Sequence, residues 1–155
     1  MDWDEYFMML VYDIAKKSKD VSTKVGCVVV GPDNEIRSTG YNSFPRGIND
    51  NVPERQERPL KYAFIEHSER AAFYNAARVG VSLKGCRIYL PWWPCADCAR
   101  GVLGVGISEV IMDGRSSNPW LEPERQARWK DSVEISKQMF IEAGVRVRFW
   151  NDGGS

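Results

Sequence analysis

The hydrophobic residues of this 155-residue chain recur with two different periods, and these periods predict its helices and strands. An amphipathic first helix is predicted by apolar residues at i, i+3, i+4 and i+7, namely Phe7, Leu10, Val11 and Ile14. Short apolar runs predict strands, and the G-P-D-N sequence at 31–34 is typical of the turn of a hairpin. We predict helices at residues 3–17, 66–78, 95–105 and 123–143, and strands at 24–30, 35–41, 86–90, 109–112 and 145–150.

This order of elements predicts an α/β fold. Strands separated by helices are expected to lie parallel, whereas the first two strands form an antiparallel hairpin. We therefore predict one mixed five-stranded sheet with helices on both faces, in a single domain over residues 1–150 with a polar tail at 151–155. Residues 42–58 lack periodicity, and this long loop is either a solvated insertion or a segment that holds a nucleotide effector.

Composition excludes several classes of protein. Lys+Arg and Asp+Glu number 21 each, so the chain lacks the basic surplus of most nucleic-acid-binding proteins. No run of 18 apolar residues predicts a membrane span, and the first residues do not resemble a secretion signal. We therefore expect a cytoplasmic location. Four cysteines in such a chain indicate core thiols, metal ligands or redox chemistry rather than disulfides.

Two short strings carry candidate chemistry. The single histidine begins the H-S-E string at 67–69, and residues 94–98 have the sequence P-C-A-D-C. A catalytic zinc ion takes three protein ligands and keeps one position open for water, and His67, Cys95 and Cys98 supply three ligands of the preferred types. Both strings lie at predicted helix N-termini, where the helix dipole favours thiolate over thiol. From the first turn of its helix, Glu69 can exchange protons with metal-bound water.

These residues also have simpler interpretations. The C-x-x-C pair is also found in redox sites and in structural zinc sites, but a structural site needs a fourth ligand. The remaining cysteines, Cys27 and Cys86, lie in apolar strands and are typical of core thiols. Glu69 is also a favourable first-turn acid without any catalytic role. Trp92 and Trp93 either wall a base-binding pocket or pack at the end of a strand.

H-x-E followed by P-C-x-x-C is the signature of zinc-dependent deaminases. With it, the chain resembles the cytidine and deoxycytidylate deaminase superfamily, and it is most similar to the deoxycytidylate branch. The branch-like runs are S-K-D-V-S-T-K-V-G at 18–26, G-Y-N-S-F-P-R-G at 40–47 and K-Y at 61–62. The resemblance implies a cytidine-deaminase-like three-layer α/β/α fold and one Zn²⁺ per chain. It implies hydrolysis of a 4-aminopyrimidine nucleotide, dCMP to dUMP, in which zinc-bound hydroxide attacks C4 and ammonia leaves.

The resemblance also assigns residues. His67, Cys95 and Cys98 match the zinc ligands, and Glu69 matches the proton shuttle. Five further residues are candidates for substrate binding: Asn42, Ser22, Lys24, Ser68 and Trp93. The chain departs from the family pattern at Ser68, where alanine is usual, at Ala96-Asp97, at Trp92-Trp93 and in lacking a tyrosine shortly after Ile111.

These departures leave open a second function, deamination of another amino-heterocycle such as a free base, a modified nucleotide or a pterin-like ring. Zero net charge disfavours a polynucleotide-editing deaminase. The intact Glu69 disfavours a catalytically inactive binding module. We expect a small-molecule nucleotide or nucleobase as substrate, a candidate nucleotide effector and assembly into a homo-oligomer, without membrane or nucleic-acid partners.

Overall fold

The computed structural model describes residues 1–151, and five strands form one mixed sheet. The strands are β1 (Gly26–Val30), β2 (Ile36–Tyr41), β3 (Arg87–Leu90), β4 (Glu109–Asp113) and β5 (Arg146–Trp150). Their order in the sheet is β2-β1-β3-β4-β5. β1 pairs antiparallel with both β2 and β3, whereas β3–β4 and β4–β5 are parallel. The predicted mixed five-stranded sheet is confirmed.

Helices cover both faces of the sheet. They are α1 (Trp3–Ala15), α2 (Lys61–Phe64), α3 (Ser68–Val79), α4 (Ala96–Gly104) and α5 (Pro123–Ala143). α1 packs on one face with a cluster of buried apolar side chains, and α3, α4 and α5 share a second cluster on the other face. The result is the predicted three-layer α/β/α arrangement. The sequence did not predict the short helix α2 or the 3-10 turns Pro53–Gln56 and Pro119–Leu121.

β1 is buried along its whole length because it lies between the two helical layers. Val28 and Val30 face α1, while Cys27 and Val29 face α3 and α4. On α1, the buried stripe includes Met8 and Ala15, whereas the predicted Leu10 and Ile14 lie at its partly buried margin.

Both ends of α5 agree with the sequence-based expectation. Pro123 occupies its first turn, and Gly144 closes it with a left-handed backbone (φ 72°). No helix within residues 1–151 combines the length and the apolar character that crossing a membrane requires. Of the predicted polar tail, residues 152–155 lie outside the described part of the chain.

Candidate active site

Three metal-ligating side chains meet where two helices begin on the same face of the sheet. His67 directly precedes α3, and Cys95 directly precedes α4, which carries Cys98 in its first turn. Nδ1 of His67 lies 3.4 Å from Sγ of each cysteine. The ligand atoms of all three residues lie within 4.8 Å of one another. One imidazole and two thiols, with room for a fourth ligand, fit a catalytic zinc ion.

Gly40 explains how α3 comes close enough to the sheet to place His67 here. A Cβ atom at Gly40 would lie 2.2 Å from the carbonyl oxygen of Ser68 and 2.5 Å from the backbone nitrogen of Ala72. Both distances are shorter than non-bonded atoms tolerate, so a residue without a side chain is needed at this point of β2. On the same strand, the hydroxyl of Ser38 donates a 2.6 Å hydrogen bond to the Ala72 carbonyl. β2 therefore holds the first turns of α3.

The two cysteines differ in their affinity for a proton. A hydrogen bond from Cys98, with a further contribution from His67, lowers the pKa of Cys95 to about 4 in spite of its burial. The same hydrogen bond, together with burial, raises the pKa of Cys98 far above its usual range. The hydrogen bond with Cys95 also raises the pKa of His67. Since metals bind thiolate and neutral imidazole, loading this site with a metal releases protons.

Glu69 lies two residues after His67, in the first turn of α3, and lines the same pocket. The residue is only 7% exposed. The hydroxyl of Ser68 donates a 2.5 Å hydrogen bond to one oxygen of its carboxylate. Behind them, the buried thiol of Cys27 donates to the Ser68 carbonyl at 3.2 Å, and burial raises the pKa of this thiol. Cys27 and Cys86 are both buried in the core, as predicted.

The metal-ligating group opens onto a pocket with aromatic and basic walls. Its aromatic lining residues are Tyr62, Trp92, Trp93, Trp120 and Trp129. Its basic lining residues are Arg58, Lys61 and Arg128. Flat apolar walls suit an aromatic ring, and cationic groups suit an anionic substituent. The lining of the pocket therefore suits an aromatic ring that carries an anionic group.

The roof of the pocket comes from the segment that follows β4. Asn118 anchors this segment, since its amide donates to the carbonyls of Pro91 (2.8 Å) and Asp113 (2.9 Å) and accepts from the Trp120 N–H (3.0 Å). Trp120 and Arg128 line the pocket in consequence. Within the described chain, this segment therefore overhangs the site.

Three of the five predicted substrate-binding residues line the pocket: Asn42, Ser68 and Trp93. The amide of Asn42 donates to the carbonyl of Thr23 (2.8 Å) and the carboxylate of Asp20 (3.3 Å) and accepts from the Val25 N–H (2.8 Å). Its Oδ1 keeps a second lone pair for a ligand. Asn42 therefore also fixes the shape of the loop before β1.

Ser22 and Lys24 lie on that loop, and both are exposed outside the residues that line the pocket. Ser22 reaches the site indirectly, because Lys61 donates a 2.6 Å hydrogen bond to its hydroxyl. Lys61 is itself buried and pairs with Asp20 at 2.8 Å. Lys61 belongs to the K-Y string at 61–62, which did not predict a role for it in the site.

Trp93 serves both of the roles that the sequence left open. It lines the pocket, and its ring also stacks on Phe140 of α5 at 6.4 Å and meets Phe149 of β5 edge-on at 6.1 Å. Trp92 likewise lines the pocket and packs against Phe149 at 5.8 Å. Packing against α5 and β5 fixes both rings, so they form a rigid wall.

Two arginines at the pocket mouth have no acidic partner among the described residues. Arg58 and Arg128 are exposed, and within residues 1–151 neither forms an ion pair with a carboxylate. Lys61, by contrast, is neutralised by Asp20. Guanidinium groups match phosphate geometry well, so the mouth favours an anionic ligand.

The family model for the cytidine and deoxycytidylate deaminase zinc-binding region matches residues 1–113. The chain belongs to the cytidine and deoxycytidylate deaminase family. It is 38% identical to the deoxycytidylate deaminase of Homo sapiens over 153 residues, covering 96% of this chain and 79% of the human protein. It is 34% identical to an uncharacterised deaminase in the luxG 3' region of Aliivibrio fischeri, covering 94% and 91% of the two chains.

Solved structures show the same fold. The dCMP deaminase of cyanophage S-TIM5, in complex with dCMP and dUMP, superposes with a TM-score of 0.71 at 22% identity, covering 94% of this chain and 95% of that one. The cytidine-deaminase-like fold class is confirmed. The family consists of zinc-dependent deaminases, which are hydrolases, so this family member is an enzyme of that class. α5 lies wholly outside the matched residues 1–113, although it forms one wall of the site.

Proposed function

We propose that the chain is a zinc-dependent hydrolytic deaminase that converts dCMP and water to dUMP and ammonia. The observation that carries the proposal is the convergence of His67, Cys95 and Cys98 beside a pocket that Glu69 lines. The mouth of this pocket bears two arginines that form no ion pair within residues 1–151. The 38% identity to human deoxycytidylate deaminase over nearly the whole chain supports the same substrate.

His67, Cys95 and Cys98 would hold one Zn²⁺ per chain. The ion supplies a Lewis acid that makes water a nucleophile at neutral pH. The protein contributes the placement of the ligands: two helix N-termini aim them at one point, and the first turn of α4 orients both sulfur atoms. Because three protein ligands leave a tetrahedral position open, the site suits catalysis better than a purely structural role.

Glu69 moves the protons of the reaction. Its buried carboxylate accepts a proton from the attacking water, delivers it to the N3 atom of the pyrimidine and then assists departure of the amine from C4 as ammonia. The hydrogen bond from Ser68 engages one carboxylate oxygen and leaves the other for this transfer. The C4–O bond forms, the C4–N bond breaks, and no oxidant or reductant is required.

The substrate ring would lie between the aromatic walls, with Trp93 as one wall and the free lone pair of Asn42 directed at the nucleoside. We assign the phosphate to the mouth, near Arg58 and Arg128. Ser22 and Lys24 remain proposed substrate-side residues, and Ser22 acts through its hydrogen bond with Lys61.

Ammonia release by the zinc-loaded protein tests the proposal across dCMP, CMP, deoxycytidine, dCTP, cytosine, AMP, guanine and a pterin. Loss of the phosphate contact costs about 1.5–3 kcal/mol, so kcat/KM for dCMP should exceed that for deoxycytidine by about 10–150-fold. Replacement of Arg128 by Gln should reduce this preference and leave deoxycytidine turnover unchanged. A zinc-loaded protein that deaminates no pyrimidine nucleotide would contradict the proposal.

A second candidate function is deamination of a different amino-heterocycle. The observation that favours it is the aromatic lining, since four tryptophans and a tyrosine form a wide apolar surface that also suits a larger fused ring. The same substrate panel separates dCMP deamination from deamination of a free base or a pterin, because only a nucleotide deaminase requires the phosphate. Assembly into a homo-oligomer and control by a nucleotide effector remain predictions, and light scattering with and without dCTP or dTTP tests both.

A further inference from the structure

Two serines on α5 hold the peptide groups on either side of Cys95. The hydroxyl oxygen of Ser132 accepts a 2.8 Å hydrogen bond from the Ala96 N–H, directly after the cysteine. The hydroxyl of Ser136 donates a 2.7 Å hydrogen bond to the Pro94 carbonyl, directly before it. Ser136 is completely buried. Since the two serines are four residues apart, they lie one helical turn from each other on the same face of α5.

The same face of α5 also contacts the histidine of the site. Trp129 precedes Ser132 by three residues, and its ring meets the His67 imidazole edge-to-face with centroids 5.8 Å apart. Val133, on this face too, is buried and lines the pocket. One helix, lying outside the matched family region, therefore contacts the zinc-ligand segments that begin both α3 and α4.

We propose that Ser132, Ser136 and Trp129 are positioning residues that set the zinc affinity of this site from α5. Partners that orient metal ligands typically alter affinity by about 10–100-fold when removed. Here, Ser132 and Ser136 fix the backbone on both sides of Cys95 and so fix the direction of its Cβ–Sγ bond. Trp129 limits rotation of the His67 ring. The inference rests on the proposed zinc site, but it does not depend on the identity of the substrate.

The hydrogen-bond partners of the first N–H groups of α4 support a positioning role for Ser132. The first N–H groups of a helix have no partner within the helix, and the Ala96 N–H is the first in α4. Cys95 caps the helix through its own sulfur, which accepts from the Cys98 N–H at 3.4 Å. When that sulfur binds a metal, the Ser132 hydroxyl still satisfies the first N–H, so the start of α4 stays in place.

The zinc affinity of the chain, measured by competition with a chromogenic chelator, tests the proposal. The double variant Ser132→Ala/Ser136→Ala is expected to bind zinc about 10–100-fold more weakly than the unmodified chain. Ser132→Thr keeps the hydroxyl and is expected to restore near-normal affinity when Ser136 is intact. In the Co²⁺-loaded protein, the double variant should shift the visible absorption bands, which report ligand geometry and not merely folding.

Ser108→Ala is the matched control. It removes a serine whose hydroxyl bonds to the carbonyls of Gly85 and Cys86 away from the site, so its zinc affinity and cobalt spectrum should not change. If the double variant does not fold, the half-buried Ser132→Ala alone carries the test. Affinity and spectrum equal to those of Ser108→Ala would overturn the proposal. An unmodified chain that binds no zinc would instead refute the proposed zinc site.

Discussion

Glu69 can be separated from the metal ligands because its carboxylate is not among the three converging ligand groups. We expect Glu69→Gln to retain full zinc content and to lose about 10²–10⁴-fold in kcat, the usual contribution of a positioned acid–base group. Metal analysis and ammonia release on the same preparation measure both quantities. A variant that lost its zinc would show that Glu69 acts as a ligand and not as a proton carrier.

Gly40 offers a test of how β2 holds α3. An added methyl group would collide with the Ser68 carbonyl and the Ala72 nitrogen, so Gly40→Ala should destabilise the chain by about 1–3 kcal/mol and weaken zinc binding. Gly104→Ala is the control, because no atom of the described residues lies within 4 Å of its Cβ position and its backbone is helical. That variant should gain about 0.4–1 kcal/mol in urea unfolding. Equal stability of the two variants would contradict the close approach at Gly40.

The structure brings together those candidate ligands that the sequence marks by the chemistry of their side chains and by a short spacing or a single occurrence. Cys95 and Cys98 lie within one turn, and His67 is the only histidine, so few other ligand sets were available. Trp129 and Ser132 carried no comparable signal. A tryptophan and a serine on an amphipathic helix are ordinary residues, and only the docking of α5 brings them to the site.

The connection between β4 and α5 depends on Asp113 at the end of β4. Its buried carboxylate accepts from the hydroxyl of Tyr12 on α1 (2.6 Å) and from the guanidinium of Arg115 (2.8 and 3.0 Å). Burial alone would raise the pKa of Asp113, but the hydrogen bonds from Arg115 and Tyr12 outweigh it and lower the pKa below its usual value. The charged carboxylate thus joins three segments.

The pKa of Asp113 is lower in the folded chain than in the unfolded chain, where it is about 3.9. Asp113 therefore stabilises the fold above about pH 3.9, and this contribution disappears as the pH falls through the pKa of the folded chain. Asp113→Asn should therefore cost about 1.5–3 kcal/mol at pH 7, with the difference from the unmodified chain shrinking below about pH 4. Urea unfolding as a function of pH measures it. Asp13→Asn, at an exposed ion pair, should show little effect at any pH.

Among the elements, the four long helices and the five strands were predicted, whereas the four-residue helix α2 was missed. α5 matches its predicted bounds because 21 residues of pattern and a closing Gly144 define it. α2 has only four residues, too few for a periodicity to appear. The antiparallel pairing of β3 with β1 was not predicted either, because pairing between distant strands depends on how the helices pack.

The proposed zinc ligands lie at the starts of both α3 and α4, so a bound zinc ion should stabilise the whole chain and not only the pocket. A ligand that binds only the folded state adds about 4 kcal/mol at a free concentration 1,000 times its Kd. Removal of zinc by a chelator should therefore lower Tm, and added Zn²⁺ should restore it. Cys98→Ala, assayed in the same way, should respond much less to added zinc. An identical Tm with and without bound zinc would contradict a native-state site.

The position of α5 beyond residues 1–113 has a consequence for protein engineering. A chimera that kept residues 1–113 and took the remaining residues from a relative would retain every proposed zinc ligand and Glu69. It would nevertheless exchange Arg128 and Trp129 together with Ser132 and Ser136. Exchange of α5 would thus change substrate preference and metal retention together. A designer who wants to change only one of these properties must restore the α5 residues that control the other.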